Sequence, residues 1–150
     1  MAQIIISDTS CLILYDKIKG FDVLKATFGH IVVTEEVENE YGELPEWIEV
    51  KPLKDRKLYN DLRLELGNGE ASSIAFALEN PESLLIIDER KGRKKAEELG
   101  VSIIGSLGVL LKAKEKGAID SVSRILQDIN KTDFRISEAI MKKLLEEAGE

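Results

Sequence analysis

Two aliphatic runs, each stopped by an aspartate, constrain this chain more than any other feature. One is Ile4-Ile5-Ile6, followed by Ser7 and Asp8; the other is Leu84-Leu85-Ile86-Ile87, ending at Asp88. A strand with one wet face alternates polar and apolar residues, whereas an unbroken aliphatic run reads as a strand buried on both faces, the habit of central parallel strands. Helical spacing follows each run. Strands alternating with helices predict one three-layer α/β/α domain over residues 1–150 with a central, mainly parallel sheet. In such a sheet both aspartates end strands on the same edge, where open α/β sheets bind their ligands. If the two strands are neighbours, the acids lie roughly 5 Å apart in backbone terms.

The remaining pattern predicts helices over 8–19 with Gly20 as the stop, 21–28, and from a Thr34 cap to Tyr41. Further helices are predicted over 55–66, over 69–78 behind an Asn68 cap, over 89–99 before Gly100, and from Ser106 to Lys116 before Gly117. Two amphipathic helices over 119–129 and 136–147 close the chain, and short strands are predicted at 31–33, 47–50 and 101–104.

Two glutamates join the aspartates on a helical wheel. At about 100° per residue, Glu40 falls on the apolar stripe of Val33, Val37 and Leu44, and Glu70 on that of Leu66, Ile74 and Ala77. An acid facing the core costs several kcal/mol unless it is paired, hydrogen-bonded or metal-bound. Each acid has a plain structural alternative. Asp8 and Asp88 can cap the helices that follow them, Glu70 can complement a helix dipole, and Glu40 can pair at an interface. Together they form a group of carboxylates that would repel, and a hard divalent cation with oxygen ligands is the ordinary remedy.

Charge bears on what such a site can act upon. The net charge is −7, whereas nucleic-acid binders usually present a basic surface. Basic residues are nevertheless clustered, at Lys51, Lys54, Arg56 and Lys57 and more densely at Arg90, Lys91, Arg93, Lys94 and Lys95, where the plain reading is a solvated helix face. Cys11, the single cysteine, excludes an intrachain disulfide and a cysteine-built zinc site and suits a reducing cytoplasm. No apolar run is long enough to cross a bilayer, and no secretion signal opens the chain.

The same residues carry a family resemblance. Asp8 in IIISDTSCLI, Glu40 in VVTEEVENE, Glu70 in LGNGEASSIAFA and Asp88 in LLIIDERKGRKKAEELG stand in the order of the PIN-domain acids. IIGSLGVLLKAKEKGAI follows, with Gly105-Ser106 where PIN domains carry a Gly-Thr or Gly-Ser pair. The chain thus resembles, over residues 3–145, the small prokaryotic PIN proteins that include VapC-type toxins. The resemblance implies a ribonuclease dependent on Mg²⁺ or Mn²⁺. Asp8 and Asp88 would be direct ligands, and Glu40 and Glu70 would ligate through water or orient the attacking water. Ser106, Thr9 and Glu89 would support them, and Arg90 and Arg93 would hold the RNA backbone. Related sequences often carry aspartate where this chain has Glu89, and Glu36 lies one turn from Glu40.

The resemblance also implies an antitoxin partner for a toxin member, and pairing. Apolar residues from Val109 through Ile119, Ile125, Ile136 and Ile140 to Leu145 point to a homodimer or a dimer of dimers. Two rivals remain. A receiver-type signalling domain would want adjacent acids after the first strand, where Thr9 follows Asp8. The other is a PIN-like module that binds RNA or protein without cutting.

Overall fold

The computed structural model describes residues 3–150. Its strands are β1 (Ile5–Ser7), β2 (Ile31–Thr34), β3 (Ile48–Lys51), β4 (Leu84–Ile86) and β5 (Ile103–Ile104). They form one sheet of order β3-β2-β1-β4-β5 in which every pairing is parallel. β1 is buried along its length and takes the middle, as its aliphatic run requires. Ile6 lies opposite Val32 on one side, and Ser7 lies opposite Ile86 on the other. The edge strand expected near Trp47 is β3, and the fold is the expected α/β/α class with a wholly parallel sheet.

The helices are α1 (Thr9–Lys17), α2 (Phe21–Phe28), α3 (Glu35–Tyr41), α4 (Arg56–Leu62), α5 (Asn68–Glu79), α6 (Arg90–Glu98), α7 (Ser106–Glu115), α8 (Val122–Asn130) and α9 (Glu138–Glu147). By internal contacts the chain divides into two units. One holds the described residues to Leu12 and His30–Gly105; the other holds Ile13–Gly29 and Ser106–Glu150.

The first unit contains the sheet. α5 lies on β1, β2 and β4 and touches α3, α4 and α6. Its buried residues are mostly small (Gly69, Ala71, Ser72, Ser73, Ala75, Ala77), so its backbone can approach the strands closely. Ile6, Val32 and Leu85 meet Ala71, Ile74 and Ala75 in one apolar core with Tyr59 and Leu62 of α4. In the second unit α7 packs on α2, α8 and α9, and Leu14, Tyr15, Leu24, Leu110, Leu126 and Ile129 are buried.

Several local expectations need correction. Asn68 lies inside α5, and Gly67 is the N-cap, with no side-chain cap bond. α4 stops at Leu62 rather than 66, because residues 63–66 turn to deliver Leu66 to the core. Gly20 is not the left-handed stop of α1. Lys19 adopts that conformation (φ 55°), and a Cβ on Gly20 would meet the Tyr15 ring at 3.0 Å. Gly20 is therefore glycine for closeness, not for handedness. Gly100 after α6, by contrast, is left-handed (φ 81°), as expected of a C′ glycine. Lastly, Val109, Leu110, Ala113, Val122, Leu126, Ile129 and Leu144 are buried within the single chain. Of the C-terminal apolar set, only Ile140 is an exposed large side chain, at 49%.

Candidate active site

Chain order runs from β1 outward to β2 and β3, then returns across β1 to β4 and β5, so the order reverses between β1 and β4. The crevice at the carboxyl ends of two such strands is where open α/β sheets place ligands. Asp8 follows the last residue of β1, and Asp88 comes two residues after β4.

Asp8 is 1% exposed. Its Oδ1 accepts from the Cys11 amide at 2.9 Å, the N-cap bond of α1, and its Oδ2 accepts from the Asp88 amide at 3.3 Å. The Asp8 amide in turn donates to the Ile86 carbonyl at 3.0 Å. The capping alternative and the site reading are therefore both satisfied by one side chain. Burial above all, then the charge of Asp88, raises the Asp8 pKa from 3.8 to about 7; the two amides oppose the rise and Glu70 adds to it.

Glu70 stands in the first turn of α5 and is partly buried. Its pKa is raised, chiefly by burial and then by the charge of Glu89, with Glu40 a smaller cause; a bond from the Gly67 amide opposes the rise. Its Oε2 is buried with no hydrogen-bond partner. A buried, unpaired carboxylate oxygen among other acids is the kind of atom a cation would satisfy.

Glu40 corrects the wheel. It is exposed, not core-facing, because α3 runs only from Glu35 to Tyr41, while Val33 lies in β2 and Leu44 beyond the helix. A wheel drawn past the ends of a helix carries no geometry. Its carboxylate is nonetheless held: Oε1 accepts from the Thr9 hydroxyl at 2.6 Å and Oε2 from the Gly69 amide at 3.2 Å. Thr9 thus meets Glu40, while Glu89 is exposed and bears electrostatically on Glu70. Among the described residues, no three acidic, His or Cys side chains are drawn close enough to hold one ion together.

The basic residues separate. Arg90 opens α6 and is exposed. Arg93 is partly buried and donates from Nη1 to the Ile87 carbonyl at 2.8 Å. A Cβ on Gly105 would meet that Nη1 at 3.1 Å and Asp88 Oδ1 at 3.3 Å, so the guanidinium lies beside the Asp88 carboxylate. Glu36 is turned elsewhere: Oε2 pairs with Arg56 at 3.0 Å, and its other oxygen is buried without a partner. Ser106 belongs to the second unit, buried at the start of α7, where its carbonyl accepts from the Tyr15 hydroxyl at 2.9 Å.

Sequence reasoning missed two glycines. A Cβ on Gly69 would lie 2.1 Å from Glu40 Oε1 and 2.9 Å from Thr9 Oγ1, and one on Gly92 would lie 2.6 Å from Glu70 Oε2. The only available signal was a glycine inside each helical pattern, where glycine costs roughly 1 kcal/mol against alanine. Because the crowded atoms are mostly ends of flexible side chains, the fold can accept a methyl while the carboxylates move. Gly69→Ala and Gly92→Ala are each expected to change the melting temperature by less than about 4 °C, the equivalent of roughly 1 kcal/mol. Each should lower any metal-dependent activity at least about tenfold, as loss of an orienting contact does. Thermal melts beside cleavage rates check this; unchanged activity in both would show that the acids need not sit where these notches hold them.

No curated protein and no solved structure matches the chain significantly. A family model described as a PIN domain matches residues 4–150, a span that contains the wholly parallel sheet and Asp8, Glu40, Glu70 and Asp88. The chain belongs to the PIN-domain family.

Proposed function

We propose that this protein is a metal-dependent endoribonuclease that hydrolyses RNA phosphodiester bonds at the β1/β4 switch point. PIN domains are generally nucleases, which supports the hydrolase class. The observation that carries the reading further is the buried, partnerless Glu70 Oε2 beside the raised, buried Asp8 carboxyl. Oxygen-only donors of this kind suit Mg²⁺ or Mn²⁺.

Asp8 and Asp88, set on strand ends, are the residues that would hold a cation directly, with Glu70 reaching it through water. When bound, such an ion makes a water more acidic and neutralises the charge that builds on the phosphate. The chain's own groups do the rest. Glu70, whose pKa is raised by burial and by the charge of Glu89, is suited to orient the attacking water. Thr9 and the Gly69 amide keep Glu40 oriented beside it. Arg93, fixed through the Ile87 carbonyl, keeps further donors for a phosphate oxygen, and Arg90 extends the same face.

Partners follow from this reading. The substrate is RNA; a toxin role with an antitoxin partner, and a homodimer or dimer of dimers, belong to the same proposal. Ile13 and Ile140 are the exposed large apolar residues of the second unit that pairing would cover. Light scattering at micromolar concentration should give at least twice the 16.7 kDa chain mass, with little change in high salt; a monomer would remove pairing from the proposal. No helix of the described residues is long and apolar enough to cross a membrane, in keeping with a cytoplasmic enzyme.

A module that binds without cutting is favoured by one observation, the absence among described residues of three acids close enough to share an ion. Chelation separates the two. Single-stranded RNA should be cut with Mg²⁺ or Mn²⁺ present, spared in excess EDTA, and cut again when the metal is restored. Cleavage indifferent to EDTA, or no cleavage of RNA at any metal concentration, would overturn the enzyme.

A further inference from the structure

Within the same unit as the acids lies a groove of about 410 Å³ lined by Leu64, Glu65 and Leu66 on one side and Lys91, Lys94, Lys95 and Glu98 on the other. Its volume is in the range of small-ligand pockets, roughly 300–1,000 Å³. One wall is the turn that follows α4, the other the outer face of α6.

Leu64 is 83% exposed, the most exposed large apolar side chain among the described residues. The groove's charges are unequal. Lys95 is tied to Glu65 at 3.8 Å and Glu98 at 3.6 Å, which leaves it as wall. Lys91 and Lys94 are exposed and have no ion-pair partner among the described residues. Two available cations stand on one wall and one exposed apolar side chain on the other.

The groove adjoins the acids through the backbone itself. Lys91 is followed by Gly92, whose missing side chain makes room for Glu70 Oε2. On the other wall Leu66 leads through Gly67, whose amide bonds Glu70, into α5. The groove and the acids are thus built on neighbouring residues of α6 and of the turn into α5.

We propose that this groove receives the nucleotide of single-stranded RNA next to the scissile phosphate, with Lys91 and Lys94 on its phosphate and Leu64 against its base. The inference rests on the proposed ribonuclease and adds a substrate-positioning subsite to it. Charge complementarity selects the occupant. A nucleotide combines one backbone anion with a broad apolar face, matching two lysines and one leucine. An acidic peptide would supply the anion without the broad apolar face. The contacts read no base edge, so the subsite tolerates any base.

The test uses binding and cleavage together. A fluorescein-labelled single-stranded RNA is titrated into the Asp8→Asn protein, and cleavage kinetics are measured in the otherwise unchanged protein. Lys94→Gln and Leu64→Ser should each weaken binding about threefold, the scale of one exposed contact, and together about tenfold. Most of the kinetic effect should appear in KM rather than kcat. Lys94→Gln should lower the salt slope of binding by about 0.7, one single-strand phosphate contact, and Lys94→Arg should restore it. Lys143→Gln, an exposed lysine of α9, removes the same charge and should leave the binding constant and its slope in place.

If the protein cuts RNA and the groove variants bind and cut normally, the subsite is wrong and the ribonuclease stands. If RNA binding weakens as expected but no condition yields cleavage, the ribonuclease is wrong and the groove stands. Binding of an acidic peptide in the groove that RNA does not displace would overturn the proposal in favour of a protein partner.

Discussion

Cleavage of RNA is expected to fall at least about a hundredfold in kcat/KM when Asp88 becomes asparagine, with the fold kept and the metal-free melting temperature unchanged or raised, because the Asp88 charge adds to the penalty on Asp8. Loss of a supporting group at a metal site costs 10–100-fold, and loss of a direct ligand costs more. The substitution is close to isosteric, and the Asp88 amide that donates to Asp8 belongs to the backbone, so it survives. The partly buried Asp88 carboxylate loses its charge and exchanges one acceptor oxygen for an amide nitrogen. Rates at saturating Mn²⁺, measured beside a thermal melt, check both halves. Full activity in this variant would sink the assignment of Asp88 as a ligand. Activity lost together with the fold would show Asp88 to be structural.

Asp8→Asn should do something less usual: abolish activity while raising the metal-free melting temperature at pH 7.5. The folded pKa of Asp8 is about 7 against an ordinary 3.8, so between these values the folded state binds more protons than the unfolded one. Stability therefore falls as pH rises through that window, and the full penalty is present above about pH 7. A shift of about three units at about 1.36 kcal/mol per unit is on the order of 4 kcal/mol. Asparagine carries no charge to desolvate, caps helices as well as aspartate does, and can still accept from the Cys11 amide, although its nitrogen cannot accept from the Asp88 amide. For 150 residues, at 2–4 °C per kcal/mol, that penalty corresponds to roughly 8–16 °C, less whatever the lost bond from the Asp88 amide costs. The variant's melting temperature should also lose most of its slope between pH 4 and 7. A clear fall in melting temperature would mean that the amides of Cys11 and Asp88 hold the carboxylate more strongly than burial penalises it. Saturating Mg²⁺ should narrow the gap, because an ion supplies the unsubstituted protein with the missing counter-charge.

Much of this arrangement is local and was therefore legible in the residues. An unbroken aliphatic run has no wet face, so Ile5–Ser7 and Leu84–Ile86 had to be interior strands, and an aspartate within two residues of each had to stand at a carboxyl end. The caps at Thr34 and the stop at Gly100 follow from side-chain oxygens and backbone handedness within a few residues. Glu70 was found because its stripe lies largely inside one helix, α5.

Tertiary structure decided what no local pattern contains. β1 and β4 are neighbours only because the chain returns across the sheet, which brings the Asp88 amide to the Asp8 carboxylate across about 80 residues and sets the pKa of Asp8. Glu40 shows the limit of periodicity. Its wheel predicted burial, but the helix ends at Tyr41, and a hydroxyl from α1 and an amide from α5 hold the side chain instead. The glycine notches at Gly69 and Gly92 depend on a neighbouring element's side chain, so the sequence marks them only as weak helix residues. Charge and the acid set belonged to the sequence; which acids touch, and how much water each one loses, belonged to the packing, because desolvation is a property of neighbours.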